Sequence, residues 1–263
     1  MEVTVQDIIN HLTTSLGHIE NTVDTLKSGL PSSQVTGIAV SFMPTYNTIH
    51  KAIELGANLL ITHEGLFYSH WDQTDFGKNE VIDQKKKLIK DSGIAIFRFH
   101  DYWHRYQPDG IMLGLVTNLG WDDYVVEHQP AATIISLPGM TAKEVADHLK
   151  NKLHIKYVRF MGNPEKQVKR VGILVGYRGS GSTAIPFFEN HDLDLVIYGE
   201  GPEWETPEYV RDSISQGKEK ALLVIGHAES EEPGMSYLAD KLQQMFQEIP
   251  VYFIPNESCF EMM

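Results

Sequence analysis

The feature that most constrains this sequence is a regular alternation of short apolar runs with amphipathic stretches. Thr36–Phe42 is apolar and β-branched, Thr45–Leu55 carries apolar residues at near-helical intervals, and Asn58–Thr62 is apolar again. This order is typical of a strand–helix–strand unit with a parallel crossover. The alternation continues to Val251–Ile254, close to the end of the chain. The sequence therefore predicts an α/β fold.

A change of unit is indicated between about Trp121 and Pro138. There the pattern predicts a strand at Ala132–Leu137, a turn at Pro138-Gly139 and then a capped helix. The length of 263 residues allows two α/β subdomains, each with its own core. The predicted lobes are residues 1–125 with 221–263, and residues 126–220 inserted between them.

Charge and composition exclude several classes of protein. There are 22 Lys and Arg residues against 35 Asp and Glu residues, so the net charge is −13 with histidine neutral. Such a chain lacks the basic surface that binds nucleic-acid backbones. It has no run of about 18 apolar residues and no signal-peptide pattern, and its one cysteine, Cys259, suits a reducing compartment. We expect a cytoplasmic protein that binds neither nucleic acid nor a membrane.

Three groups of imidazoles and carboxylates each follow a separate apolar run. They are His63 with Glu64, the segment His100–His104, and the segment His227–Glu231. In open α/β sheets the ligand crevice lies beyond the carboxyl ends of the strands, which is where these groups fall. Each group alone also fits a structural role, as a surface histidine, a packed aromatic loop or a solvated ion pair. Three such groups after three strands are much harder to explain by accident.

Mixed imidazole and carboxylate ligands suit divalent zinc, iron or manganese. The three groups hold more donors than one four-coordinate ion with an open position needs. They suit two ions about 3.5–4 Å apart that share a bridging ligand. A multi-thiolate zinc site is excluded because the chain has a single cysteine. The sequence therefore predicts a dinuclear divalent-metal centre.

The order of the motifs resembles the GTP cyclohydrolase I type 2 homologue family, also called the NIF-three-like family. The motifs are GANLLITHEGLF, FRFHDYWH with GLVTNLGW, VGILVGYRGSGST with DLVIYGE, and IGHAESEEPGM. The resemblance implies a two-lobed α/β protomer of mixed sheets flanked by helices. It also implies a homo-oligomer, a toroidal hexamer, whose two-metal site faces an internal cavity.

The same resemblance assigns metal ligands residue by residue. His63 matches the first family histidine, and His227 and Glu231 match the C-terminal pair. Two positions depart from the pattern: Glu64 stands where a second histidine is expected, and His104 stands where an aspartate is expected. Because this exchange is reciprocal, the formal charge of the ligand shell is unchanged, and we expect all five residues to bind metal. A degraded site with one metal or none is the competing interpretation.

Two functions of different class are compatible with such a site. A metal-dependent hydrolase acting on a small, nucleotide-like molecule would use metal-bound water, with His100 or Glu229 as general base or orienting group. The alternative is a non-catalytic, ring-shaped regulatory or scaffold protein with a structural or sensory metal site. The sequence predicts metal binding and leaves the choice between these functions open.

Overall fold

The structure, a computed structural model, describes residues 2–73, 75–261 and 263 of the chain. Residue contacts divide the chain into two compact units. The first unit is Met1–Gly110 with Met235–Met263, and the second is Ile111–Gly234. Within the described ranges, no helix is both long enough and apolar enough to span a bilayer.

The described residues form nine α-helices and eleven strands. The helices are α1 (Val5–Thr13), α2 (Tyr46–Glu54), α3 (Glu80–Ser92), α4 (Asp101–Arg105), α5 (Gly110–Leu119), α6 (Ala142–Leu153), α7 (Gly181–Asn190), α8 (Thr206–Ser215) and α9 (His227–Met245). The strands are β1 (Leu26–Ser28), β2 (Ile38–Ser41), β3 (Leu59–Thr62), β4 (Ala95–Arg98), β5 (Val125–His128), β6 (Thr133–Thr141), β7 (Arg159–Met161), β8 (Gln167–Leu174), β9 (Leu195–Tyr198), β10 (Ala221–Val224) and β11 (Val251–Phe253). This content confirms the predicted α/β class.

The first unit contains a five-stranded sheet in the order β1-β4-β3-β2-β11. Strands β11, β2, β3 and β4 are parallel, and β1 runs antiparallel to β4 at one edge. Every residue of β2, β3 and β4 is buried, as expected for a parallel sheet covered on both faces. Thr62 pairs with Arg98, so the carboxyl ends of β3 and β4 lie side by side.

The second unit contains a six-stranded sheet in the order β5-β6-β8-β9-β10-β7. Strands β8, β9 and β10 are parallel, and the remaining pairs are antiparallel, which makes the sheet mixed. Leu174 pairs with Tyr198, and Tyr198 pairs with Val224. The carboxyl ends of these three parallel strands therefore lie at one edge of the sheet.

Two local expectations differ from the structure. The turn predicted at Pro138-Gly139 was wrong, because β6 runs through both residues to Thr141. A register shift between Ser136 and Met140 accommodates them, as a bulge does in antiparallel pairs. Helix α9 begins at His227, whereas the apolar pattern predicts a helix only from Gly234, since Pro233 and Gly234 interrupt that pattern.

The units and the predicted lobes place the segment around β10 differently. Strand β10 pairs with β9 and β7, so it belongs to the second sheet. The predicted lobes assign residues 221–263 to the same lobe as residues 1–125, whereas the units divide after Gly110 and after Gly234. The residues that follow β10, from Ile225 to Gly234, are therefore part of the second unit.

Candidate metal centre

Three imidazole rings converge beyond the carboxyl ends of β3 and β4 in the first unit. His63 follows β3 and is fully buried. Its ring centroid lies 4.4 Å from that of His100 and 4.9 Å from that of His104, and the last two rings lie 5.0 Å apart. Each residue offers one ring nitrogen, and these three nitrogens lie within 4.8 Å of one another. The donor set therefore fits a single metal ion.

A hydrogen bond to the main chain determines the tautomer of His63. Its Nδ1 lies 3.2 Å from the carbonyl oxygen of Phe99. Because a carbonyl oxygen only accepts hydrogen bonds, Nδ1 carries the proton in this contact. The lone pair that can bind a metal is then on Nε2.

Carboxylates set the tautomers of the other two rings in the same way. Nδ1 of His100 donates to Oδ1 of Asp101 at 2.9 Å, and Nδ1 of His104 donates to Oδ2 of Asp109 at 2.9 Å. The bond from His100 holds the pKa of Asp101 well below its usual range, although burial acts in the opposite direction. Metal-binding histidines commonly make such a bond from the nitrogen that does not bind the metal. All three rings therefore carry their lone pair on Nε2.

The short helix α4 sets the spacing of His100 and His104. The backbone N–H of His104 donates to the carbonyl of His100 at 3.1 Å, which places the two residues one helical turn apart. Asp24 caps the start of this turn: it accepts from the backbone N–H groups of His100, Asp101 and Tyr102 at 2.8, 3.0 and 2.9 Å. Burial raises the pKa of Asp24 above its ordinary value, and these three bonds oppose that effect.

Glu64 pairs with a buried arginine beside the three rings. Its Oε2 lies 3.2 Å from an amino nitrogen of Arg98, which is fully buried at the end of β4. The Nε of Arg98 donates to the carbonyl of His63 at 3.0 Å, and another guanidinium nitrogen donates to the carbonyl of His70. Arg98 thus connects the residue after β3 with the loop that follows it.

His70 adds a fourth imidazole next to this group. Its ring centroid lies 5.3 Å from that of His100. Nδ1 of His70 lies 3.3 Å from a guanidinium nitrogen of Arg98, and it accepts because arginine only donates. The proton of neutral His70 is then on Nε2, the opposite tautomer to the other three rings. Burial, followed by the charges of Arg98 and His100, lowers the pKa of His70.

A second imidazole–carboxylate group lies in the second unit, at the carboxyl edge of β8, β9 and β10. Nε2 of His227 is 3.2 Å from Oε2 of Glu231, and Nδ1 is 3.0 Å from Oε2 of Glu200. A neutral imidazole donates from one nitrogen only, so two carboxylates call for a second proton or for a cation. A metal ion next to Nε2 would meet that requirement.

Two glycines leave room for the carboxylates of Glu231 and Glu229. Gly176 has a φ of +58°, and a Cβ at that position would lie 2.1 Å from Oε1 of Glu231. A Cβ at Gly226 would lie 2.0 Å from Oε2 of Glu229. Glu229 thus folds back over the backbone of the turn that precedes His227. The packing of both carboxylates requires that no side chain be present at these turns.

The sequence of the chain matches the model of one protein family over almost its whole length. The model of the family described as Duf34/NIF3 (NGG1p interacting factor 3) matches residues 3–259. The chain belongs to the Duf34/NIF3 family. This confirms the resemblance drawn from the sequence motifs, and with it the two mixed sheets flanked by helices.

Two curated relatives and one solved structure that match most of this Duf34/NIF3 chain are distant from it in sequence. A Clostridium perfringens protein named GTP cyclohydrolase 1 type 2 homolog is 23% identical, over 89% of this chain and 87% of its own length. A Chlamydia pneumoniae protein of the same name is 24% identical, over 97% and 99%. The crystal structure of a Bacillus cereus protein related to NIF3 superimposes with a TM-score of 0.79 at 14% identity, over 100% of this chain and 99% of that one. Similarity at this level identifies the fold.

The two units of this Duf34/NIF3 chain share the seven predicted site residues. His63, Glu64, His100 and His104 are in the first unit, and His227, Glu229 and Glu231 are in the second. His63 and His104, which the sequence predicted as metal ligands, lie in one group of rings with His100, which it predicted as a base or orienting group. The chemical roles given to these seven residues stay predictions.

Sequence reasoning missed several residues that position the imidazoles. Asp24 lies 76 residues before His100, whose backbone N–H it accepts from, and Arg98 lies 35 residues after His63, whose carbonyl it binds, so no spacing rule points to either contact. Asp109 lies five residues after its partner His104, beyond the i,i+4 spacing of a helical pair. Only Glu200 gave a signal, because it is the last residue of the DLVIYGE motif and follows the apolar part of that motif.

Proposed function

We propose that this Duf34/NIF3 chain binds a divalent transition-metal ion through Nε2 of His63, His100 and His104. One observation carries the proposal. Each ring donates a hydrogen bond from Nδ1 to an oxygen acceptor, so Nε2 of each ring has the lone pair that can bind a metal. The three rings also lie close enough together to bind the same ion. Three imidazoles with an open fourth position are a known catalytic zinc site, and imidazole also suits iron. The separation of the rings supports one ion in this group.

We further propose a second divalent ion at His227 and Glu231. Two carboxylates flank the ring of His227, and a cation at Nε2 would compensate the charge of Glu231. Each subunit would then hold two ions, zinc, iron or manganese. If the two ions share a bridging ligand, they form the dinuclear centre that the sequence predicts. Magnetic coupling in the electron paramagnetic resonance spectrum of the manganese-loaded protein tests it, and uncoupled ions would contradict it.

Elemental analysis tests metal binding directly. The protein is purified without chelator, supplied with zinc, iron or manganese, and compared with the variant His104→Ala. We expect up to two ions per wild-type chain and a loss of one of them in His104→Ala. The matched control is His50→Ala, since His50 is an exposed histidine of α2 that pairs with Glu54. Metal content near zero in the wild type would contradict the proposal.

The reaction that we propose is metal-assisted hydrolysis of a small, nucleotide-like molecule. A bound divalent ion lowers the pKa of a bound water to about 7. The chain contributes orientation: Asp101 and Asp109 hold the imidazoles in one tautomer, and the sequence prediction adds Glu229 as a general base. The name of the two relatives, GTP cyclohydrolase 1 type 2 homolog, supports GTP as the first substrate to assay.

The hydrolase proposal is tested with the metal-loaded protein and GTP, followed by other nucleoside phosphates. We expect turnover that depends on the metal and disappears in His104→Ala. If no nucleotide is turned over with any of the three metals, the hydrolase proposal is wrong, and the non-catalytic regulatory or scaffold function takes its place. Metal analysis of the same samples separates this outcome from a failure to bind metal.

We also propose that the chain forms a homo-oligomer, a hexamer by family resemblance. Membership of the Duf34/NIF3 family supports this assembly. Sedimentation velocity over a range of concentrations measures the mass, and a monomer throughout that range would contradict the proposal.

A further inference from the structure

A cavity of about 240 Å³ lies within the second unit, and its lining contains none of the proposed metal ligands. The ends of β7, β9 and β10 form one side, and the first turns of α8 form the other. Phe160, Met161 and Leu222 give it an apolar floor. The volume is below the roughly 300–1,000 Å³ of sites for drug-sized ligands, so it suits a molecule with about one ring.

Tyr198 is the buried polar group in the lining of this cavity. Only 1% of Tyr198 is exposed, and it packs in the core of the unit with Val196 and Leu222. Its hydroxyl makes no hydrogen bond to any residue within the ranges 2–73, 75–261 and 263. Arg159 and Glu203 line the same cavity. Tyr198 therefore contributes to the cavity lining a phenol whose hydroxyl is not among the fully buried side-chain atoms that lack a partner.

A hydroxyl without a partner among the described residues is available to donate a hydrogen bond to a molecule in the cavity that its residue lines. Burial raises the pKa of Tyr198 to about 12, so the hydroxyl keeps its proton at neutral pH and can donate. A molecule in the cavity with an acceptor atom would satisfy this donor. Tyr198 thus points to a ligand instead of an internal structural contact.

The charges around the cavity indicate the kind of acceptor. Arg159 pairs with Glu203 at 2.6 Å and Arg211 pairs with Glu208 at 2.9 Å, and all four side chains are about half or more exposed. Exposed pairs of this kind are weak and readily exchanged. Each guanidinium has five N–H donors, of which its glutamate occupies only some. The partial positive charge at the N-terminus of α8, whose first turn includes Pro207, adds to the attraction for an anion.

We propose that this cavity binds a small organic carboxylate with a flat, apolar body. The Tyr198 hydroxyl donates to the carboxylate, Arg159 and Arg211 compensate its charge, and the apolar floor contacts the ring. Arginine pairs well with carboxylates because its planar N–H groups match their geometry. The proposal does not depend on bound metal, so it stands or fails separately from the proposed function.

Benzoate and benzamide, which differ mainly in charge, are the probes. Binding to the metal-free 263-residue chain is measured by saturation-transfer NMR and isothermal titration. We expect benzoate to bind and benzamide to bind at least about tenfold more weakly, as loss of a charge-assisted hydrogen bond implies. Equal binding of both probes, or binding of neither, would overturn the proposal.

Two variants localise the binding. Tyr198→Phe and Arg211→Gln are each expected to weaken benzoate binding by about tenfold. The matched control Tyr177→Phe, at an exposed tyrosine of the same unit, should leave it unchanged. If benzoate binds all of these proteins alike, it binds elsewhere and the proposal is wrong.

Thermal unfolding without benzoate provides a second readout for Tyr198. Because the hydroxyl has no partner within the described part of the chain, Tyr198→Phe should unfold at the same temperature as the wild type, or higher. A clear decrease would show that the hydroxyl is bonded within the free protein, and it would overturn the assignment of Tyr198 to a ligand.

Discussion

His104 donates a hydrogen bond from Nδ1 to Oδ2 of Asp109 across 2.9 Å, and Asp109 is almost completely buried. The bond holds the imidazole in the tautomer that leaves Nε2 for a metal. Removing the charge of such a partner lowers the basicity of the histidine and typically weakens metal binding by about 10–100-fold. We predict a loss of this size in Asp109→Asn, measured by competition with a chromophoric chelator. Asp83→Asn, at an exposed aspartate of α3, is the control, and equal affinities in the two variants would contradict the prediction.

The turn at Gly176 should be intolerant of any side chain. Gly176→Ala adds strain at positive φ, about 1–2 kcal/mol, and its Cβ would displace the carboxylate of Glu231. Gly217→Ala is the matched control, because Gly217 also has positive φ but its Cβ would meet nothing within 4 Å. We predict that Gly176→Ala lowers the free energy of unfolding by about 1 kcal/mol more than the control does. Urea denaturation measures both, and equal losses would mean that Glu231 moves aside freely.

Lys85 should make stability depend on alkaline pH. It is 2% exposed on α3, and its Nζ donates to the carbonyl of Leu66 at 2.6 Å. Burial lowers its pKa from 10.5 to about 8. Between these values the unfolded chain binds more protons than the folded chain, so the free energy of unfolding rises with pH across this window.

The lowered pKa of Lys85 raises the free energy of unfolding by about 3 kcal/mol between pH 8 and pH 10.5. Lys85→Met removes the titrating group, so we predict that the stability difference between wild type and variant shifts in favour of the wild type as pH rises from 8 to 10. Urea denaturation at several pH values measures it. Lys90→Met, at an exposed lysine of the same helix, should show no such trend. A wild-type and Lys85→Met difference that stays constant with pH would contradict the lowered pKa.

Arg98 should be a large contributor to the stability of the first unit. Its guanidinium is fully buried and contacts the carbonyls of His63 and His70 as well as the carboxylate of Glu64. Arg98→Met leaves these acceptors without their donor, and breaking a buried charge pair in this way costs about 3–5 kcal/mol. We predict such a loss in urea denaturation.

The comparison variant for Arg98 is Glu64→Gln, whose amide oxygen still accepts from the guanidinium. It should lose clearly less stability than Arg98→Met. If Arg98→Met and Glu64→Gln lower the free energy of unfolding equally, the ion pair between Arg98 and Glu64 accounts for the loss. The hydrogen bonds from Arg98 to the main chain would then contribute little to stability.

The repeating pattern of the chain was enough to predict the α/β fold. Runs such as Leu59–Thr62 and Ala95–Arg98 are buried on both faces, so each begins with three apolar residues in a row and is easy to recognise. The position of His63 after one strand and His100 after the next predicted that they would meet, because β3 and β4 are parallel neighbours. The α/β class follows from local sequence, and the proximity of His63 and His100 follows from the geometry of a parallel sheet.

Residues that act across long sequence distances could not be predicted. Helix α4 has only five residues and no side-chain cap of its own, so its sequence alone resembles a loop. Arg98, at the end of the apolar strand β4, gave no hint that it would pair with Glu64. The segment that contains His227 was expected in the same lobe as residues 1–125, whereas the contacts between residues include it in the second unit. Such relationships depend on tertiary packing, which one sequence does not display.

The cap that Asp24 provides for α4 has a consequence for transplanting this ligand pair into other proteins. The three N–H groups it holds lie 76–78 positions later in the chain. A helix of five residues does not persist in isolation. Residues 100–104 therefore do not form a self-contained cassette, and a graft into another scaffold would scatter the two imidazoles unless a counterpart of Asp24 were built in as well. The spacing of His100 and His104 therefore depends on two separate segments of the chain, the one that contains Asp24 and residues 100–104. A mutation in either segment can alter that spacing.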